Sequence, residues 1–202
     1  IHLIPASTWL ANAVRKSALM RSWPTTRIPH VVDTELFSPV PKDEARRLLG
    51  LPARSPIVLF LASGGITDQP DRAVRMGAER DAGVPITWQP PVNTNEELRM
   101  LYSAADVTAL PSREDNMPLT AMEAQSCGCP VVGFAIGGLP DIVASGITGY
   151  LAAPENINEL TSGIDLFLSS SSQGFIREWA TKEWSPTALS HRYHALYRQV
   201  LQ

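Results

Sequence analysis

Two acidic side chains, Asp115 and Glu123, stand eight residues apart with Pro118 between them. A proline at this point favours a helix that starts beside it. That puts Asp115 in the loop before the helix and Glu123 about one and a half turns inside it. Carboxylates so placed can accept hydrogen bonds from sugar or ribose hydroxyls, while the unpaired N–H groups of a helix start can receive an anion. The same residues also fit a plainer pattern, in which Glu114 and Asp115 complement the helix dipole and Glu123 is a surface residue. Two glycine pairs, Gly64 with Gly65 and Gly137 with Gly138, each follow an apolar run. Such pairs serve tight turns, or let backbone approach a phosphate or sugar closely. Neither has the spacing of a dinucleotide fingerprint or a P-loop.

The remaining reactive residue types assemble nothing comparable. His2 and His30 lie at segment ends, and His191 and His194, three apart on a helix, lack a third ligand nearby. Cys127 and Cys129 sit in SCGCP. They are too close for an ordinary bridge and short of a four-ligand zinc pattern, so they read as buried or half-buried thiols of a reducing compartment. Five scattered tryptophans suit packing better than a stacking platform.

The elements that must hold the acidic residues follow from apolar patterning. Residues 56–62, 85–88, 107–110 and 131–134 are short apolar runs, separated by polar or glycine loops and by helical segments near 72–82, from Asn95, and from Pro118. This alternation predicts an α/β fold: a Rossmann-like parallel sheet with helices on both faces and ligand sites at the carboxyl ends of the strands. Ahead of it, Ser7 reads as the cap of a helix carrying Leu10, Val14 and Ala18 on one face, residues 28–32 as extended, and 42–49 as a short charged helix stopped by Gly50 and Pro52. Behind it come a short strand, a helix from Ile157, a serine linker at 169–172, and a helix over 187–201 with Leu189, Tyr193, Leu196, Tyr197 and Val200 on a broad apolar face.

With 202 residues, 44% of them hydrophobic, the chain can bury a core without disulfide or metal staples. The net charge is −3, split as +2 over residues 1–100 (12 basic, 10 acidic) and −5 over 101–202 (5 basic, 10 acidic). No basic stripe appears, which argues against a nucleic-acid binder; pairs such as Arg46 and Arg47 read as solvated helix faces. No apolar run reaches membrane-span length. The chain opens at Ile1 without an initiator methionine, and a fragment is expected.

PSREDNMPLTAMEAQSCGCPVVGFAIGGLPDIV closely resembles the nucleotide-binding signature of retaining glycosyltransferases of the two-Rossmann-domain GT-B type, family 4. IPASTWLANAVRKS, IPHVVDTELFSP, LFLASGGITD and NEELRMLYSAADVTALPSRED agree with it. The branch it is most similar to is that of the colanic-acid and exopolysaccharide transferases, which carry aspartate and asparagine where most members have glutamate and glycine. The resemblance implies a GT-B carboxyl-terminal domain, apparently shortened. Asp115 would then be the catalytic-side carboxylate contacting the donor sugar, and Glu123 the acceptor of the ribose hydroxyls. Asn116, Met117, Pro118, Leu119 and Thr120 would lie over the sugar and diphosphate, with Gly64 and Gly65 beneath the latter. It further implies a UDP- or GDP-sugar donor, no catalytic metal or cofactor, a glycan or lipid-linked acceptor, and a cytoplasmic location peripheral to the membrane in the full-length enzyme.

The departures from the family pattern are as informative. Gln69, Pro70 and Asp71 precede Arg72 where the family places a basic pair, so Arg72 would be the substitute. A helix-strand unit is short between residues 66 and 84, which predicts one parallel strand fewer. His30 and Val31 replace the residues usual at the interdomain crossover. The implied division is 1–40 as amino-terminal remnant and crossover, 41–186 as the nucleotide-sugar domain, and 187–202 as a closing helix. The acceptor domain would be absent, leaving apolar surface near residues 3–20 and the last helix for self-association. Two rival readings stay open: a non-catalytic nucleotide-binding module, and a structural fragment that pairs with a separate acceptor domain.

Overall fold

The computed structural model describes residues 1–60, 92, 94–169 and 173–201. At its centre lies a parallel sheet of strands β1 (Val58–Phe60), β2 (Val107–Leu110), β3 (Val131–Phe134) and β4 (Gly149–Ala152), paired in chain order. Val58 stands opposite Val107, Thr108 opposite Val131, and Val131 opposite Gly149. Every residue of β2 and β3 is buried, as continuous apolar runs require when helices cover both faces of a sheet. Adjacent residues of β3 point to opposite faces. Val131 joins a core with Tyr102, Met117, Met122 and Leu139, whereas Val132 joins another with Phe134, Leu160 and Phe167. The α/β parallel architecture expected from the sequence is therefore present.

Helix α1 (Thr8–Lys16) begins at Ser7, whose Oγ accepts from the amide of Leu10 at 3.1 Å. Ala11 and Val14 are buried, but Ala18 lies beyond the helix end and is exposed, so the expected apolar face stops short. Residues 28–32 belong to no helix or strand. The amide of Ile28 donates to the Pro5 carbonyl and that of Val32 to the Trp184 carbonyl.

Helix α2 (Lys42–Leu48) corrects one expectation. Arg46 is not on a solvated face; it is 4% exposed. Its guanidinium donates to the carbonyls of Ala104 (3.0 Å), Ala53 (2.8 Å) and Ser55 (3.2 Å) and to Asp106 (2.7 Å). Those carbonyls close a turn and a helix end away from water and need donors, which a five-donor fork supplies together. Burial pushes the Asp106 carboxyl up, yet hydrogen bonds from Lys42 and the Ile57 amide, with the charges of Lys42 and Arg46, hold it below the ordinary aspartate value.

Helices α3 (Asn95–Ala104), α4 (Leu119–Ser126) and α5 (Ile157–Leu168) fall where the apolar pattern put them. Helix α6 (Gln173–Trp184) forms where the apolar pattern predicts no element. Ile176, Ala180 and Trp184, one per turn, form a narrow buried stripe beneath an otherwise mixed surface. Helix α7 (Pro186–Val200) starts at Ser185 and buries Leu189 and Leu196, while Tyr197 and Val200 stay about half exposed, so its broad apolar face docks only in part. The helix expected at 72–82, the strand at 85–88 and the shortening between 66 and 84 lie outside the described residues.

Candidate functional site

Helix α4 follows β2 through residues 111–118, and the loop carries Asp115 to the helix start. Pro118 is the capping residue, and no side chain caps there. The first intrahelical bonds run from Ala121 and Met122 to the Pro118 carbonyl, so the amides of Leu119 and Thr120 precede the helix ladder and carry its positive end. Met117 is 4% exposed and packs in the core; its amide donates to Asp115 Oδ1 at 3.0 Å, closing a turn around the aspartate.

The loop is fixed from below by the second glycine pair. The Gly138 amide donates to the Asp115 carbonyl at 2.9 Å. A Cβ on Gly137 would fall onto the Asp115 carbonyl, and one on Gly138 onto that of Asn116. Gly137 also holds φ +55°, a left-handed conformation that costs other residues energy. The sequence left this pair open between turn and ligand approach. The backbone it admits is that of the acidic loop.

The amino-terminal segment fastens the loop from the side. Ser7 Oγ, fully buried, donates to Asn116 Oδ1 at 2.8 Å. Asp141, at the end of a short 3₁₀ turn (Leu139–Asp141), accepts from the Thr8 amide and from Thr8 Oγ1 at 2.7 Å, with Arg27 at 3.9 Å. An external carboxylate thus stabilises the start of α1.

Glu123, the fifth residue of α4, is held differently. It is half-buried, and its Oε2 accepts the hydroxyl of Tyr102 at 3.0 Å. Tyr102 projects from α3, is fully buried, and meets Phe37 edge-on. Burial pushes the Glu123 carboxyl above the ordinary glutamate value, and the Tyr102 hydrogen bond pulls it partly back. The surface alternative for Glu123 is therefore replaced by a partly desolvated carboxylate with one fixed donor.

Residues 45–180, more than half of the chain, match the family described as "Glycosyl transferases group 1". The chain belongs to that family. A D-inositol 3-phosphate glycosyltransferase of Mycolicibacterium smegmatis is 34% identical over 157 residues, which is 63% of this chain and 36% of that protein. The enzyme of that name from Mycobacterium bovis is 32% identical over 166 residues, 68% and 34% respectively. The chain spans about a third of the length of these relatives. Among solved structures, sucrose-phosphate synthase from Thermosynechococcus elongatus superposes with a TM-score of 0.80 at 27% identity over 99% of this chain and 58% of its own. Anabaena HepE in complex with UDP-glucose gives 0.73 at 17%, over 97% and 63%, a likeness of fold alone. These matches fit a Rossmann-like GT-B carboxyl-terminal domain.

Within this group 1 domain, two placements escaped sequence reasoning. Tyr102 stands 21 residues before Glu123 and gave no local signal. Arg177 on α6 donates to the carbonyls of Phe37 (2.9 Å), Ser126 (2.9 Å) and Thr34 (2.6 Å), tying the end of α4 to the 34–37 loop. Cys127 and Cys129 are free and buried beyond Glu123, and burial pushes both up to about 12, so they are neutral and unreactive at ordinary pH. An open groove of about 580 Å³ lies beside the acidic loop, lined by Thr8, Trp9, Asn12, Glu114, Gly137 and Asp141 among others; neither Asp115 nor Glu123 lines it. Gly64, Gly65 and Arg72 lie outside the described residues.

Proposed function

We propose that this chain is the donor-binding domain of a retaining glycosyltransferase acting in glycan or polysaccharide synthesis. The observation that carries the reading is the pair of differently held carboxylates flanking an uncapped helix start, inside a segment that matches the family. Glu123, partly desolvated and fixed by Tyr102, accepts the ribose hydroxyls of a UDP- or GDP-sugar. Asp115 accepts from hydroxyls of the sugar, with Asn116 beside it. The amides of Leu119 and Thr120 face the diphosphate, joined by Gly64, Gly65 and Arg72.

In the transfer step the bond between the anomeric carbon and the diphosphate oxygen breaks, the diphosphate taking the electron pair, while an acceptor hydroxyl oxygen bonds the anomeric carbon on the same face and gives its proton to the departing diphosphate. N–H donors at a helix start stabilise that developing anion without a metal. That Anabaena HepE was solved with UDP-glucose supports the donor class. The acceptor, a glycan or a lipid-linked chain, is supplied by the cytoplasmic or membrane-peripheral setting of the whole enzyme. Exposed Trp9, Leu19, Trp23 and Tyr197 favour self-association of this chain, which light scattering at micromolar concentration tests; a monomer throughout that range argues against it.

Calorimetric titration of UDP, GDP and their sugars tests the site. Glu123→Ala weakens a nucleoside diphosphate by roughly ten-fold to several hundred-fold, the worth of one or two hydrogen bonds to a charged group. Asp115→Ala weakens the matching nucleotide sugar and leaves the bare diphosphate nearly unchanged. Wild-type chain that binds none of them below about 1 mM, or Glu123→Ala that binds as wild type does, overturns the reading.

A further inference from the structure

We propose that Tyr102 is a positioning residue for donor binding: its hydroxyl fixes Glu123 Oε2 and keeps the carboxylate aimed for a diol. This rests on the reading of Glu123 as the ribose acceptor and adds a residue to it. A half-buried carboxylate on a four-bond side chain has several rotamers open to it, and a partly desolvated one favours the neutral acid, which is a poor double acceptor. The Tyr102 hydroxyl opposes both tendencies. It is anchored in a fully buried ring, so the donor cannot swing away, and at 3.0 Å it occupies one lone pair of Oε2. Among the described residues nothing else bonds the carboxylate, so Oε1 and the second lone pair of Oε2 remain for two neighbouring hydroxyls.

Tyr102 itself stays protonated. Burial raises it strongly, and Glu123, Cys127 and Cys129 raise it further, so it donates throughout the accessible pH range. Among the described residues, the charges of Arg99 and Arg177 act on Cys127 beside Tyr102, and both guanidiniums are tied to carbonyls, those of Ser38 and of Thr34, Phe37 and Ser126. Around Glu123 the only titratable influence among the described residues is Tyr102, and the two thiols near Tyr102 are uncharged at ordinary pH. The pH behaviour of the pair is therefore that of one carboxyl and one fixed donor.

The test is Tyr102→Phe, which keeps the ring and its edge contact with Phe37 while deleting only the hydroxyl. Two measurements are made on the 202-residue chain. The first is the titration of the Glu123 side-chain carboxyl by carbon-13 NMR without ligand. Glu123 titrates above the ordinary glutamate range in wild type and higher still in Tyr102→Phe, because the hydrogen bond lowers it. The second is the affinity for UDP and GDP from pH 5 to 8, where the variant loses about three- to ten-fold at neutral pH and more toward pH 5.

An unchanged Glu123 titration overturns the inference, since a structural role for the hydroxyl would not fix that value. So does a binding profile that superposes on wild type while Glu123→Ala still weakens binding. If Glu123→Ala is itself silent in binding, the ribose assignment fails instead, and the shift of the ligand-free carboxyl still decides whether Tyr102 controls Glu123.

Discussion

The two carboxylates of the site are held by opposite means. Asp115 is placed by main chain: its carbonyl and that of Asn116 rest directly on Gly137 and Gly138, and its own side chain closes a turn on the Met117 amide. Glu123 is placed by a side chain, the Tyr102 hydroxyl reaching across from a neighbouring helix. A main-chain lock tolerates no added atom and transmits damage to the fold. A side-chain latch can be removed one atom at a time, with damage confined to binding. The comparison predicts that substitutions in the first region act on stability and function together, and those in the second mainly on function, with only a small effect on stability.

Gly138→Ala is the strongest way to challenge this. Its Cβ collides with the Asn116 carbonyl and crowds Ser7 Cβ at 3.0 Å, so either the acidic loop or the 3₁₀ turn must move. Overpacking of this kind costs about 1–3 kcal/mol, and Gly137→Ala adds the cost of a left-handed alanine, about 1–2 kcal/mol. Urea denaturation should show losses of that order, accompanied by loss of nucleotide-sugar binding. A variant of native stability would mean that the loop is held elsewhere.

Ser7→Ala tests the same region through its side fastening. The buried hydroxyl caps α1 and donates to Asn116, so its removal strands the Leu10 amide and the Asn116 amide oxygen. A loss of about 1–2 kcal/mol is expected. Sugar binding falls less than in Gly138→Ala, because the glycine contact beneath Asp115 persists. Equal losses of binding in the two variants would show that the side chain, and not the main chain, sets the loop.

How much of this could be read from the chain follows the same division. Strands β2 and β3 have the ends expected for them, because each is an apolar run bounded by Asp106 or Pro130 on one side and polar or small residues on the other. The α4 start was readable from Pro118. Those signals are local. Arg46 misled because a charged pair on a short helix looks solvated, and nothing nearby in sequence reveals that carbonyls at 53, 55 and 104 converge there. Helix α6 was missed because its buried positions, Ile176, Ala180 and Trp184, recur only once per turn behind a serine run. Tyr102 lies inside a segment whose pattern predicts a helix, yet its bond to Glu123 is a contact between two helices, which only the packing of α3 against α4 supplies.

The smallest effect concerns stability in the second region, and its sign is the informative part. Burial raises Glu123 in the folded chain above its unfolded value, so the folded state binds the proton more tightly. Stability from that difference is fully present below the ordinary glutamate range and is lost as pH rises through the raised folded value. Glu123→Gln cannot ionise and escapes the loss, and its amide oxygen can still accept from Tyr102. Asp106 runs the other way, since its lowered value adds stability that disappears on acidification, but it is common to both proteins and cancels in their difference. Urea midpoints at pH 4 and pH 7 should therefore move in favour of Glu123→Gln as pH rises, by a small margin, in the same variant that has lost affinity for nucleoside diphosphate. A glutamine variant that instead loses ground between pH 4 and pH 7 would make the ionised carboxylate a stabilising acceptor like the contacts beneath Asp115, and the contrast between the two regions would collapse.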